Sequence, residues 1–274
     1  MSGTPEGRTP EELHAESVRA WERNAEAWTK LSRAGYDRCR DLFNTPTFMR
    51  ILPEVRGLRG LDIGCGEGHN TRLLARRGAL MTALDAAPTF IRHAAEAERS
   101  EPLGIGYQVA SATALPHADA CFDFATSFMC LQDVADQDSA VAEAFRVLRP
   151  GGFLQFSITH PCFQTSKWGW LKDEAGRRTA LTVGDYFSGD GQVTVDEWCF
   201  GAAPEELRAR FPKFRVLYFK RTLGSWLNLL LAKGFVLEEF AEPTPDDATL
   251  REHPEEADAR EIAYFLIVRV RKPR

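Results

Sequence analysis

Residues 60–70 read GLDIGCGEGHN, four glycines in eleven positions directly after a short apolar run. A strand that runs into so many glycines lets backbone come close to a ligand, because glycine lacks a Cβ and takes left-handed conformations freely. A dinucleotide loop reads G-x-G-x-x-G. Gly64 and Gly66 fit it, but His69 stands at the third position and the extra glycine is Gly68. A phosphate loop needs Lys-Ser or Lys-Thr after its last glycine, and no such pair follows. What remains is D-x-G-x-G-x-G on Asp62, Gly64, Gly66 and Gly68.

Outward from this stretch the chain alternates. LRGLDIG (58–64), LMTALDA (80–86), GIGYQVAS (104–111), FDFATSFMCL (122–131) and FLQFSIT (153–159) read as strands. HNTRLLARRGA (69–79), PTFIRHAAEAERS (88–100) and DSAVAEAFRVLRPGG (138–152) read as helices between them. Strands and helices at this spacing imply a parallel sheet with helices on both faces. Upstream, a helix is expected from Glu11 to Trp28 and a second over 36–52, broken near Asn44-Thr45-Pro46. Past His160 the alternation lapses for some 60 residues rich in Trp, Tyr and Phe. It resumes with the helix RTLGSWLNLLLAKGF (221–235), the strand FVLEEFAE (235–242) and a long last strand, EIAYFLIVRVRK (261–272).

Composition narrows the function classes. The 274 residues suffice for a large core, and 44% hydrophobic with 27% charged content is that of a globular chain. A formal net charge of −5 offers no long-range attraction to nucleic acid. Six cysteines without C-x-x-C spacing read as reduced thiols of a cytoplasmic protein. No signal peptide or membrane-spanning run is visible, so no membrane partner is expected. No His, Cys and carboxylate cluster has ligand spacing, so no metal is expected.

The glycine pattern resembles motif I of the class I S-adenosylmethionine-dependent methyltransferases, whose common form is L-D-I-G-C-G-x-G. ASATALPHADACFDFATSF (110–128) resembles that family's G-D-A-x-x-L-P-F-x-D-x-x-F-D stretch, and EAFRVLRPGGFLQFS (143–157) its E-x-x-R-V-L-K-P-G-G-x-L-x-x-S stretch. The resemblance is close over 58–160 and looser over the last 50 residues. It implies a Rossmann-like α/β three-layer sandwich with a seven-stranded, mostly parallel sheet and an antiparallel last strand. Residues 1–57 are expected as an N-terminal helical cover and 58–274 as the methyltransferase domain, with an aromatic-rich insertion at about 160–220. The implied cofactor is S-adenosylmethionine and the implied partner a small-molecule methyl acceptor, with N, O or C as nucleophile. An NAD-dependent oxidoreductase shares the fold logic, and a non-catalytic relative that binds the cofactor is a further alternative.

For the cofactor, the resemblance points to Asp62, Gly64, Cys65 and Gly66 in the turn. Asp85 and Ala86 end the second strand, where a carboxylate accepts from both ribose hydroxyls. Ser111 stands where the family has an aspartate for the adenine amino group, with Ala112 and Thr113 beside it. Ser127 and Phe128 end strand four. Trp28 in NAEAW reads as a cover over the cofactor or as core packing, and Arg40 in GYDRCR as a fork for the cofactor carboxylate. Gln132 and Asp133 in CLQDV face the acceptor by resemblance. The plainer reading of Asp133 is a cap on the helix that follows. His160, past strand five, reads as a near-neutral proton acceptor or as a turn histidine. The aromatic segment reads as a pocket wall, a small core, or a contact between two copies in a homodimer. His93 and His117 read as surface or turn residues, and Arg221 as a pocket or a solvated residue.

Overall fold

The computed structural model describes residues 8–165 and 167–274. In chain order it comprises α1 (Pro10–Arg33), a five-residue π-helical stretch (Arg40–Asn44), α2 (Thr45–Ile51), β1 (Arg59–Ile63), α3 (His69–Arg76), β2 (Leu80–Asp85), α4 (Pro88–Ser100) and β3 (Gly106–Val109). Then follow β4 (Phe122–Phe128), α5 (Gln137–Val147), β5 (Leu148–Thr159), β6 (Lys167–Lys172), β7 (Arg178–Gly184), β8 (Val193–Trp198), α6 (Glu205–Arg208) and β9 (Phe214–Phe219). The chain ends with α7 (Leu223–Ala232), β10 (Val236–Ala241), α8 (Asp247–Glu252) and β11 (Phe265–Arg271).

Seven strands form the central sheet in the order β10-β11-β5-β4-β1-β2-β3. β1 to β5 pair in parallel, while β11 lies antiparallel between β5 and β10. This is the expected doubly covered sheet with a reversed last strand. Period-2 alternation divides its side chains between two cores. Leu154, Phe156 and Ile158 of β5 join Leu61, Ile63, Val268 and the α5 and α7 residues Val141, Ala144, Trp226 and Leu230. Phe153 and Ile267 turn the other way, to Phe124, Phe48 of α2 and Leu74 of α3.

The cover helix begins where the chain can satisfy its orphan amides. Thr9 accepts from Glu12 N–H while the Glu12 carboxylate accepts from Thr9 N–H, and Pro10 follows at the first helical position. Small residues on its inner face, Ser17, Ala20, Ala25 and Ala27, are all buried. They allow close approach to β9 and α4. The break expected at Asn44-Thr45-Pro46 is absent. Thr45 N–H reaches back five residues to Arg40 O, and this wide turn carries the helix through a proline that lacks a donor.

The 160–220 segment folds as two antiparallel hairpins, β6–β7 and β8–β9. The second shares an aromatic core with the cover: Phe200 and Phe214 pack on Ala27 and Leu31, with Trp28 and Trp198 beside them. Among the described residues no helix is long and apolar enough to cross a membrane.

One packing constraint is testable. Gly60 in β1 faces the Phe124 ring, which stacks on Phe153 at 5.4 Å. An added Cβ there would run into that ring and come within 2.6 Å of Met81 Sδ. Gly60→Ala is expected to cost about 1–3 kcal/mol through overpacking, read as a lower Tm in thermal melting. An unchanged Tm would show that the Phe124 stack yields freely.

Candidate active site

The order β3-β2-β1-β4-β5 reverses direction between β1 and β4, so the loops leaving these two strands diverge and open a crevice. The glycine turn forms its floor. Gly64 and Cys65 N–H both donate to Leu84 O at 2.9 Å, and Gly66 N–H donates to Asp85 Oδ2 at 2.9 Å. Asp85 Oδ1 accepts from Ala87 N–H. Gly64, Gly66 and Gly68 all have positive φ, 73°, 54° and 88°. Their surroundings differ. A Cβ on Gly64 would strike Cys130, and one on Gly68 would lie 2.6 Å from Tyr107 Oη, but one on Gly66 would meet nothing within 4 Å. Gly66 thus leaves space on the cavity side.

Above the floor lies a cavity of about 1380 Å³, lined by the turn, α1, the ends of β2 and β4, and the inner face of β8–β9. It exceeds the usual size of a single-ligand pocket, about 300–1,000 Å³. Ten carboxyl-bearing residues line it against four arginines. Asp62, beneath the turn, accepts from the hydroxyls of Thr71 on α3 and Thr126 on β4. Burial raises its pKa and these two hydrogen bonds oppose the rise. Burial also pushes Asp85 up to about 6, against the pull of its two amide partners.

The far end is acidic and aromatic. Asp133 ends the short 3-10 turn Leu131–Asp133. Its pKa is raised, first by burial and then by the charge of Asp196, while a hydrogen bond with Trp21 opposes. Burial likewise raises Asp196, with Lys220 opposing. Tyr218 Oη shares a 2.7 Å hydrogen bond with Thr159 Oγ1. Trp28 stands 5.3 Å from Trp21 and Trp198 and 4.9 Å from Phe200, ring centre to ring centre.

Of the residues expected from the sequence, Trp28, Arg40, Asp62, Gly64, Cys65, Gly66, Asp85, Ala86, Ala112, Phe128, Gln132 and Asp133 meet at this cavity. Four do not line it. Ser111 Oγ is taken by His14 Nε2 and Thr113, and Thr113 turns inward to that bond. Ser127 is fully buried, with its hydroxyl on Ile63 O, and ties β4 to β1. His160 is also buried. Its Nδ1 accepts from Cys162 N–H at 3.2 Å, so Nε2 carries the proton toward Glu242, 3.0 Å away. With its lone pair spent, His160 is a turn histidine and not the proton acceptor of the cavity.

Other expectations are corrected in detail. Asp133 does not cap α5; Asp136 does, accepting from Ser139 N–H. The Arg40 fork is already engaged by Asp41 and Ser32, with Asp37 and Glu67 within 4 Å. Arg221 bonds Gln137 and Asp138 instead of facing the cavity. His93 is buried against Glu26 of the cover.

Sequence reading missed Asp196, Tyr218, Gln164 and His14. Asp196 and Tyr218 share the cavity face of β8–β9 only through the pairing Asp196↔Val216 and Thr194↔Tyr218. The β-rich alternation in VTVDEW was the sole signal for it. Among the described residues no group of three or more His, Cys, Asp or Glu has the arrangement of a metal site.

Comparison with known proteins bears on what this cavity holds. A family profile described as a methyltransferase domain matches residues 61–156. Over 147 residues the chain is 32% identical to the malonyl-[acyl-carrier protein] O-methyltransferase of Pectobacterium atrosepticum, covering 53% of this chain and 56% of that protein. Over 123 residues it is 33% identical to the ubiquinone biosynthesis O-methyltransferase of Parvibaculum lavamentivorans, covering 45% and 49%. The chain thus spans about half the length of these curated relatives. A solved S-adenosylmethionine-dependent methyltransferase from Mesorhizobium loti matches at 31% identity and a TM-score of 0.67, over 82% of this chain and 96% of that one. Likeness at that level along nearly all of a relative is likeness of family: the chain belongs to the S-adenosylmethionine-dependent methyltransferases, with S-adenosylmethionine as its cofactor.

Proposed function

We propose that this chain transfers a methyl group from S-adenosylmethionine to a small-molecule nucleophile bound in the same cavity. The observation that carries the reading is the cavity's continuity. One chamber joins a glycine turn suited to a nucleoside to an aromatic, carboxylate-bearing end suited to a second molecule. In this reading residues 1–57 act as a cover, 58–274 as the methyltransferase domain and 160–220 as the acceptor wall.

The residues present fit the cofactor. The open side of Gly66 admits a ligand where any Cβ would stand. Asp85 presents a carboxylate, fixed by two amides, to hydroxyl donors. Asn44 Nδ2 and Gln132 Oε1, buried without partners, supply a donor and an acceptor for an amino-acid tail or an acceptor. Bound there, S-adenosylmethionine supplies a methyl carbon activated by the positive sulfur beside it. The chain aligns and dries the site. Phe128 and Met129 line it at the end of β4, Trp28 and Trp198 exclude water, and Gln132 with Asp133 orients the acceptor. The acid excess disfavours the pyrophosphate of a dinucleotide by like-charge repulsion. The six free thiols suit a reducing, cytoplasmic setting.

Titration calorimetry is expected to give saturable binding of S-adenosylmethionine and no heat with NAD. The reverse pattern would overturn the assignment. Asp85→Asn is expected to weaken S-adenosylhomocysteine binding about 10- to 100-fold, the size of charge-assisted hydrogen bonds lost. Because burial pushes Asp85 up to about 6 and its ionised form is the better acceptor, affinity should rise between pH 5 and 7.5. Asp37, also raised to about 6, stays in the variant, so the share of the step that vanishes in Asp85→Asn belongs to Asp85. Equal pH profiles in the two proteins would remove Asp85 from ligand binding.

A further inference from the structure

The acceptor end of the cavity has a one-sided hydrogen-bonding chemistry. Gln132 is buried, its Nε2 is spent on Met129 O, and its Oε1 has no partner. Asp133 and Asp196, from different parts of the chain, line the same wall. Most donors nearby are committed. Tyr218 and Thr159 share one hydrogen bond, which spends one of their two hydroxyl protons, and Thr194 and Gln164 serve Asp196. Lys220 lies outside the lining, with Nζ 5.6 Å from the centre of the Tyr218 ring. What faces an incoming molecule is therefore mainly acceptors: the four arginines of the lining are paired with Glu255, Asp41, Asp173 and Asp258, and Lys220 offsets Asp196 from outside it.

The walls add a second preference. Trp21, Trp28, Trp198 and Phe200 line the cavity, and aromatic faces attract cations as well as apolar bodies. An anionic acceptor would add a further negative charge to a dry site where burial already opposes the ionisation of Asp133 and Asp196, while a neutral hydroxyl would satisfy one of the acceptors and leave the rest bare. A nitrogen with several N–H groups on an apolar body satisfies all of them.

Given the methyl-transfer reading on which this rests, we propose that the methyl acceptor is an alkylamine carried on an aromatic or similarly apolar body, whose nitrogen is held by Asp133, Asp196 and Gln132 Oε1. One carboxylate of the pair takes the ammonium proton. The N–H bond breaks as the O–H bond forms, and the electron pair left on nitrogen becomes the nucleophile.

The test uses the full chain saturated with S-adenosylhomocysteine, its saturation checked first by calorimetry. Three probes of one shape, 2-phenylethylamine, 2-phenylethanol and phenylacetate, are titrated against tryptophan fluorescence. The amine is expected to bind about tenfold more tightly than the alcohol, and the carboxylate more weakly than either. Asp196→Asn, and independently Asp133→Asn, should erase the preference for amine over alcohol while S-adenosylhomocysteine affinity stays as in the parent. An amine that binds no better than the alcohol, including the case where neither binds, overturns the proposal, as does a preference that survives both substitutions. Failure of S-adenosylhomocysteine to bind would instead strike the methyl-transfer reading, so the two failures are distinct.

Discussion

Three consecutive amides, those of Gly64, Cys65 and Gly66, all aim at the end of β2, two at the Leu84 carbonyl and one at the Asp85 carboxylate. Everything at the site depends on that convergence. To turn three N–H groups toward one point the backbone must go left-handed at Gly64 and Gly66, which side chains with a Cβ resist. The tight turn brings β1 against Cys130 of the neighbouring loop and delivers the chain into α3 within a few residues. It also holds Asp85 by an amide on each oxygen, so its carboxylate is fixed before any ligand arrives. A buried acid beneath the turn, Asp62, ties the same unit to α3 and β4 through two hydroxyls.

The other half of the cavity is made by parts that do not belong to the sheet. The cover helix reaches the loop after β4 through Ser17 Oγ to Asp133 O, and reaches β9 through Asn24 Nδ2 to Arg215 O. Its Trp28 meets Trp198 of β8 edge to face and Phe214 of β9 at a tilt. Neither the cover nor the hairpin has an apolar core of its own. Each completes the other, and the acidic, aromatic end of the cavity exists only where they meet.

This division explains what could be read in advance. The strands, the helices between them and the turn were legible because they are local: alternation with period 2, helix stops at glycine, and a motif whose glycines answer a local backbone need; the reversed last strand came from the family resemblance alone. The readings that the structure revises were made from position along the chain. Asp133 looked like a cap because a helix follows, but a short turn intervenes and Asp136 takes the cap. His160 stood past a strand end where ligands gather, yet the backbone of Cys162 claims its lone pair. Ser111 stood in a contact position, but a histidine 97 residues away in sequence occupies its hydroxyl. Asp196 and Tyr218 acquire a shared face only through hairpin register. His93 is buried only because the cover lies across α4.

The acid excess of the lining has a consequence for turnover. In the proposed reading, S-adenosylmethionine carries one more positive charge than the thioether it becomes, so the excess of carboxyl groups over guanidiniums in the lining adds a pull on the donor that its by-product does not feel. Burial, which opposes the ionisation of Asp37, Asp62, Asp85, Asp133 and Asp196, holds that pull down.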